Sequence, residues 1–395
     1  MKKILFSPHP NFLSIIKKHF SDKEKYLILG VQDHFVRSLN DMDVQNVETF
    51  IGNNEIQTQA YDYASRIIKQ NKSLTKEQKN NIIFAKFLKK VNSLAYAKLY
   101  DLIVFLLLLD DKRPDLVVLH NDVEPFMRMI AMWAKNNNIP CLHIPHSVII
   151  DSSEKTSIGT DIHDIVTASD IVVGGDYQKE WYKTRGVEDS NIHQTGLPQF
   201  DNIVSMSYDR EKALRLLRLP TNEPVITYAS SWRQDTNLLG CHDGIEQTYI
   251  NFLKASKKLG IKPIIKLHPN SSQGNVDWHT MTAKKMDIYA ILSTAHLHTV
   301  LQASNILFSY GPSNVLLEGS FYPMQLMTTH GYDDDDAILK VGNEATEDEI
   351  ANGIANLLQN DISDLSALRY KYIGVVDGKA HQRIADTINR LLNGS

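Results

Sequence analysis

Cysteine is nearly absent. The 395 residues contain two, Cys141 and Cys241, and neither stands in a CxxC spacing. That excludes a disulfide scaffold and a cysteine-built zinc site, and makes a reducing cytoplasm the expected compartment. Charge of one sign is also lacking. Lys and Arg total 42 against 46 Asp and Glu, a net charge of −4, so no basic balance points to nucleic acid. No apolar run is long. The strongest, LIVFLLLL from Leu102 to Leu109, has eight residues, whereas a bilayer span needs ~20. It reads as a buried helix turn or strand. The opening MKKILFSPHP is too short in apolar residues for a signal peptide and reads as a first buried strand. GxGxxG, GxxxxGK[ST] and HExxH are missing, which disfavours a standard dinucleotide fingerprint, a P-loop and a zincin site.

What is present is a globular composition, 43% hydrophobic and 22% charged, in a chain long enough for two or three domains at ~150 residues each. Short apolar runs alternate with helical patterns. Lys3–Phe6, Tyr26–Leu29, Asp115–Leu119, Ile139–Ile144, Ile165–Val166 and Ile171–Val173 are strand candidates. Residues 55–110 are mostly helix-like. Pro125–Asn136 has helical spacing, with Met127, Ile130, Ala131 and Ala134 on one side. A second half repeats the style, with strands at Pro224–Tyr228, Lys262–Leu267, Ile288–Leu292, Ile306–Ser309 and Met324–Met327. Its helices are Gly244–Leu259, Ser313–Ser320, Glu347–Leu358 and His381–Leu392. The pattern predicts parallel sheets covered by helices. The boundary falls near Gly196-Leu197-Pro198, giving two Rossmann-like domains of α/β class facing a central cleft.

Ligands in such sheets bind beyond the carboxyl ends of the strands, and polar clusters stand there. Lys266-Leu267-His268-Pro269-Asn270 places a His stiffened by the following Pro, suited to a phosphate or a proton; the plain alternative is a strand cap. Ser230-Ser231-Trp232-Arg233-Gln234-Asp235 gathers hydroxyls, a cation and a carboxylate on one loop; a surface Arg–Asp pair is the bland reading. Ser309-Tyr310-Gly311-Pro312-Ser313-Asn314 precedes a helix that Ser313 would cap, an anion site through free N–H groups. Glu318, about one turn further, is placed to meet a ribose hydroxyl. His143-Ile144-Pro145-His146-Ser147 and His120-Asn121-Asp122 would line the opposite wall. His296 and His298 stand two apart, facing opposite sides of a helix, and read as ordinary polar positions. The acidic run Asp333–Asp336 reads as a solvated turn rather than a metal site.

In order, the segments PDLVVLHND, IPCLHIPHS, ASDIVVGG, QTGLPQFD, ASSWRQD, IIKLHPN, LFSYGPSNVLLEGSFYPMQL and the Asp377-Gly378-Lys379-Ala380 stretch resemble bacterial GT-B glycosyltransferases that build surface polysaccharide. The similar groups are the CDP-glycerol (teichoic acid) polymerases, the HP-motif sialyltransferases and the retaining β-Kdo transferases. The resemblance spans roughly residues 115–390 and leaves 40–110 unmatched.

The resemblance implies a metal-independent transferase with an acceptor domain over 1–195, a nucleotide-sugar domain over 196–378, and a final helix, 379–395, packing back on the first domain. It implies a CMP-activated sugar, most specifically CMP-Kdo, as substrate and no other cofactor. The nucleotide-binding set is then Ser231, Arg233, Lys266, His268, Pro312, Ser313, Asn314 and Glu318. His268 and Asp235 are the catalytic candidates, Asp235 as the covalent nucleophile of a retaining reaction, and Asp122 and His146 face the acceptor. SSWRQD and SYGPS depart from the teichoic pattern, which favours the Kdo reading. The alternatives are a CDP-glycerol or CDP-ribitol phosphotransferase, a UDP-sugar 2-epimerase, and a non-catalytic glycan-binding domain. The expected partners are the nucleotide donor and a lipid-linked glycan (O-antigen or capsule), with peripheral contact at the inner membrane face, companion glycosyltransferase modules and no nucleic acid.

Overall fold

The structure, a computed structural model, describes residues 1–30 apart from 8, parts of 38–46 and 58–62, then 105–121, 125–145, 148–149, 166–230, 243–268, 271–332 and 335–394. Two wholly parallel sheets organise it. The first contains β1 (Lys2–Phe6), β2 (Tyr26–Gly30), β3 (Val44–Asn46), β4 (Leu116–Leu119), β5 (Cys141–His143), β6 (Asp170–Val173) and β7 (Ile192–Gln194) in the order β3-β2-β1-β4-β5-β6-β7. The second contains β8 (Ile226–Ala229), β9 (Ile264–Lys266), β10 (Ile291–Ser293), β11 (Ile306–Ser309), β12 (Gln325–Thr328) and β13 (Ile338–Lys340) in the order β10-β9-β8-β11-β12-β13. Both are doubly wound. The strand order reverses between β1 and β4 in one and between β8 and β11 in the other, which opens a crevice at each carboxyl edge.

The strands read as unbroken apolar runs because helices cover both faces. All four residues of β4, β6, β8 and β11 are buried. The covering helices are α1 (Pro10–His19), α2 (Pro125–Asn136), α3 (Asp176–Lys183), α4 (Arg210–Leu217), α5 (Asp243–Lys258), α6 (Gln273–Lys285), α7 (Leu297–Ala303), α8 (Asn314–Gly319), α9 (Glu347–Gln359), α10 (Ser366–Ile373) and α11 (Ala380–Asn393). Residues 105–112 are helical. Phe105, Leu108 and Leu109 of the apolar run pack with Leu5, Val117 and Leu119, so the described part of that run, 105–109, is a helix face and not a strand. Val166 lies outside any strand, and Ile165 and most of 55–104 lie outside the described residues. The edge strands β3, β7 and β13 are not among the strands expected from the sequence.

The halves share one apolar cluster. Ile4 and Phe6 of β1, Leu307 and Leu316 of the second half, and Leu197, Phe200 and Ile203 of the connection belong to it. The last helix, α11, buries Ala380, Ile384, Ala385, Ile388 and Leu392, one stripe at helical spacing. It lies on the first sheet: the Lys2 ammonium donates to the Leu392 carbonyl at 2.9 Å and the Tyr26 hydroxyl to Asn389 at 2.9 Å. Asp201 caps its start, accepting from the backbone N–H groups of Ala380 (3.0 Å) and His381 (2.8 Å) and pairing with His381 Nδ1 at 2.7 Å. Where α10 passes α3, Gly374 has φ +77°, and a Cβ there would sit 2.2 Å from the Gly174 carbonyl oxygen. Only glycine permits that approach.

Candidate active site

The switch point of the second sheet gathers the predicted phosphate-facing residues on three adjacent strands, β9, β8 and β11, about 4.8 Å apart. Ser230 joins the first two. Its N–H donates to the Lys266 carbonyl at 3.0 Å, and its hydroxyl accepts the His268 N–H at 3.0 Å. Lys266 turns its ammonium onto the Leu267 carbonyl at 2.8 Å, and burial lowers its pKa. His268 is also pushed below its usual range, first by burial and then by the Lys266 charge. It therefore enters neutral pH as an uncharged imidazole that can donate or accept one proton, not as a fixed cation.

The loop from β11 to α8 is held from several sides. The Gly311 N–H donates to Thr329 Oγ1 at 2.9 Å, its carbonyl accepts from Ser309 (3.1 Å) and Thr328 (2.9 Å), and the Ser313 carbonyl accepts from Tyr332 at 2.8 Å. Gly311 has φ +68°, and a Cβ there would lie 2.8 Å from the His330 ring. Pro312 packs against Gly331. Ser313 is the N-cap, its hydroxyl accepting from the Val315 N–H at 3.4 Å, so the oxygen serves the helix while the hydroxyl proton can serve a ligand. The helix has six residues. Its pull on an anion comes from these local groups, since a long macrodipole is missing. Asn314, the expected nucleotide contact next to the cap, accepts the Val148 N–H on its carboxamide oxygen at 2.9 Å and so ties this loop to the first domain.

His296 and His298 are corrected by the structure. His296 is the N-cap of α7, outside the helix, and only His298 is helical. The helical-wheel argument therefore does not apply, and the two rings lie 5.3 Å apart. His298 Nδ1 is 2.7 Å from the Tyr322 hydroxyl, and Nε2 is 3.8 Å from Glu318. With Tyr322 donating, the ring proton sits on Nε2 and faces the carboxyl. Burial pushes Glu318 up to about 7 and Tyr322 up to about 12, the latter with help from Glu318. Burial and His296 lower His298. Tyr322 and both histidines were missed because a helix start falls between two residues that look periodic. The usable signal was His-X-His placed directly after a strand.

Ser231, Arg233, Asp235, Asp122, His146 and Pro269 lie outside the described residues. Asp335 lies in a turn, its carboxylate accepting the Ala337 N–H at 3.0 Å; Asp333 and Asp334 lie outside the described residues. Among the described residues, no group of three or more His, Cys, Asp or Glu is placed to hold a metal ion. No described helix is long and apolar enough to cross a membrane. A cavity of about 570 Å³ is lined by Lys2, Tyr26, Asp115 and Asn389. It opens at the amino ends of β1 and β2, the wrong edge of the sheet for a ligand.

Residues 150–309 match the family model of CDP-Glycerol:Poly(glycerophosphate) glycerophosphotransferase. No curated protein sequence matches the chain. Among solved structures, the UDP-GlcNAc 2-epimerase of Methanocaldococcus jannaschii in complex with UDP-GlcNAc and UDP is similar, with TM-score 0.60, 13% identity, and 98% of this chain and 99% of that one covered. S. aureus MnaA in a UDP co-structure has TM-score 0.58 and 13% identity, covering 100% and 97%. A His→Ala variant of the wall teichoic acid polymerase TagF has TM-score 0.54 and 14% identity, covering 100% and 90%. The chain thus has the GT-B fold, two doubly wound domains whose carboxyl edges meet.

Proposed function

We propose that the chain is a cytidine-nucleotide-dependent transferase of surface-polymer synthesis, moving a polyol phosphate from a CDP-linked donor onto a phosphate-containing acceptor. The observation that carries this is the meeting of Ser230, His268 and the Ser313 loop on three neighbouring strand ends. Those groups fit a leaving nucleotide phosphate, and the glycerophosphotransferase model matches the stretch that contains the first two. In the reaction, an acceptor hydroxyl attacks the β-phosphorus. The new P–O bond forms as the bond to the bridging oxygen breaks, CMP leaves, and the hydroxyl proton passes to a base. Stabilising the charge on CMP is an electrostatic task, suited to a neutral His268 N–H, the Ser313 hydroxyl and the backbone N–H groups after it. Asp122 and His146 are the sequence candidates for the base.

A second reading, CMP-Kdo as donor with Asp235 as covalent nucleophile, is favoured by the SSWRQD loop alone. A donor panel separates the readings. The expected result is CMP release from CDP-glycerol in the presence of a glycerophosphate-primed acceptor, strongly reduced in His268→Ala. Turnover of CMP-Kdo alone, with a sugar adduct lost in Asp235→Asn, would replace the first reading with the second. Conversion of UDP-GlcNAc without acceptor would replace both with an epimerase.

A further inference from the structure

Among the described residues, five other than glycine have left-handed backbone: Arg113, Asn138, Arg218, Asp287 and Tyr332. The first four stand just past the ends of helices, where that conformation is routine. Tyr332 does not. It follows the exit of β12, its φ is +56°, and Gly331 before it is left-handed too, at +81°. A bulky aromatic side chain is disfavoured there, because its Cβ crowds the backbone. Such a residue persists only where its surroundings over-determine it, and such places gather at functional loops.

The surroundings of Tyr332 do so. The side chain is 1% exposed. Its carbonyl accepts from the Lys340 ammonium at 2.8 Å and from the Asp335 N–H at 2.9 Å, and the same ammonium donates to the Asp335 carbonyl at 2.8 Å. Its hydroxyl donates to the Ser313 carbonyl at 2.8 Å. Burial above all, then Tyr372 and Asp335, raises its pKa well above the ordinary phenol value, so the hydroxyl stays a donor. The ring meets Tyr372 of α10 edge-on, with centroids 5.2 Å apart and planes at 79°. Tyr372 lies in turn on Tyr177 of α3, at 4.9 Å, and the Gly175 N–H at the start of α3 donates to the Tyr372 carbonyl at 3.3 Å. Three rings therefore run from the Ser313 loop to the helix that follows β6 of the first sheet. On its other side the same loop is tied to that domain by Asn314 and Val148.

We propose that Tyr332 is a positioning residue of the donor site, carrying the packing of α10 on α3 to the Ser313 carbonyl, so that the Ser313 loop takes its phosphate-facing place only while the first domain is docked. A left-handed tyrosine suits this work. Once its ring loses the support of Tyr372 and Tyr177, the backbone relaxes out of the disfavoured region and the hydroxyl leaves Ser313. That the loop faces a nucleotide phosphate rests on the transferase reading; the mechanical link between the rings and the loop does not.

The test measures amide hydrogen exchange of the full chain over residues 309–320, and CDP binding by calorimetry. Tyr332→Phe removes the hydroxyl and keeps the ring. Tyr177→Leu removes the far ring, in the other domain, and Tyr177→Phe keeps it. Exchange in the Ser313 loop should quicken about tenfold in Tyr332→Phe and in Tyr177→Leu, the size of one lost hydrogen bond with its stranded acceptor. Tyr177→Phe should match wild type, and the double variant Tyr177→Leu with Tyr332→Phe should be no faster than either alone. Helix α4, in the second domain but outside the ring chain, should not change. CDP should bind about tenfold more weakly to Tyr332→Phe and Tyr177→Leu and normally to Tyr177→Phe. An unchanged loop in Tyr177→Leu, effects that multiply in the double variant, or equal quickening in α4 would overturn the link. CDP binding equally to wild type and both variants would overturn the positioning role. If wild type binds UDP and not CDP, the cytidine reading falls, while the exchange results still decide the proposal.

Discussion

Replacing Glu318 with Gln is expected to stabilise the protein, and to do so more as pH rises. The carboxyl lies among His298, His296 and Tyr322, and burial raises it from 4.5 to about 7. The folded state thus keeps the proton at a pH where the unfolded chain has released it. Stability from the neutral carboxyl is complete below the unfolded value and is lost as pH climbs from there to the folded value. Between pH 5.5 and pH 8 the integrated loss is about 2 kcal/mol. The side chain is 28% exposed, so water screens part of the penalty and this figure is a ceiling. Gln keeps the shape and an N–H donor but cannot ionise. Thermal melts at the two pH values should show the variant's advantage growing by roughly 4–8 °C at most. His298 adds an opposite slope: its lowered value means stability is lost as pH falls below the ordinary imidazole range. That slope is shared by both proteins and drops out of the comparison. An advantage equal at both pH values, or larger in acid, would refute the buried, neutral Glu318.

Three further outcomes are expected. Gly311→Ala should lose about 1–2 kcal/mol from its left-handed backbone, and because the new methyl meets the His330 ring the phosphate loop should shift, so nucleotide binding by calorimetry should weaken at least tenfold; unchanged binding would show that the loop tolerates movement. Ser230→Ala should raise the KM for the nucleotide donor with a smaller effect on kcat, because the hydroxyl that holds the His268 N–H is gone, and Ser230→Thr should restore it. Asp201→Ala should lower the melting temperature through a helix-cap loss of about 1–2 kcal/mol and expose the junction of α11 to proteolysis; resistance equal to wild type would mean the apolar stripe of α11 alone holds the helix.

Much of the site was legible because strand exits mark themselves. His268 follows Ile264-Ile265 and Ser313 follows Ile306–Phe308, so an apolar run ending in a polar cluster located both. Asn314 was legible as a site position but not in its partner, since a contact with Val148 spans 166 positions in the chain. His9 and His120 lie 111 positions apart and look unrelated until β1 and β4 pair.

By itself the sequence determined the alternation of strands and helices, because burial on both faces demands continuous apolar strands and one-sided helices. It also determined where polar groups follow those strands. Only the tertiary structure decided strand order, and with it which strand ends become neighbours. It decided too that Ser7 of β1 lies against the His120 ring and that burial pushes the Glu318 carboxyl up to about 7. Hydrogen bonds and desolvation depend on distances between residues remote in the chain, and local pattern does not encode them. The near-absence of cysteine remains consistent with this: Cys141 is buried in β5, and packing across two sheets with α11 holds the halves together where a smaller domain would need covalent staples.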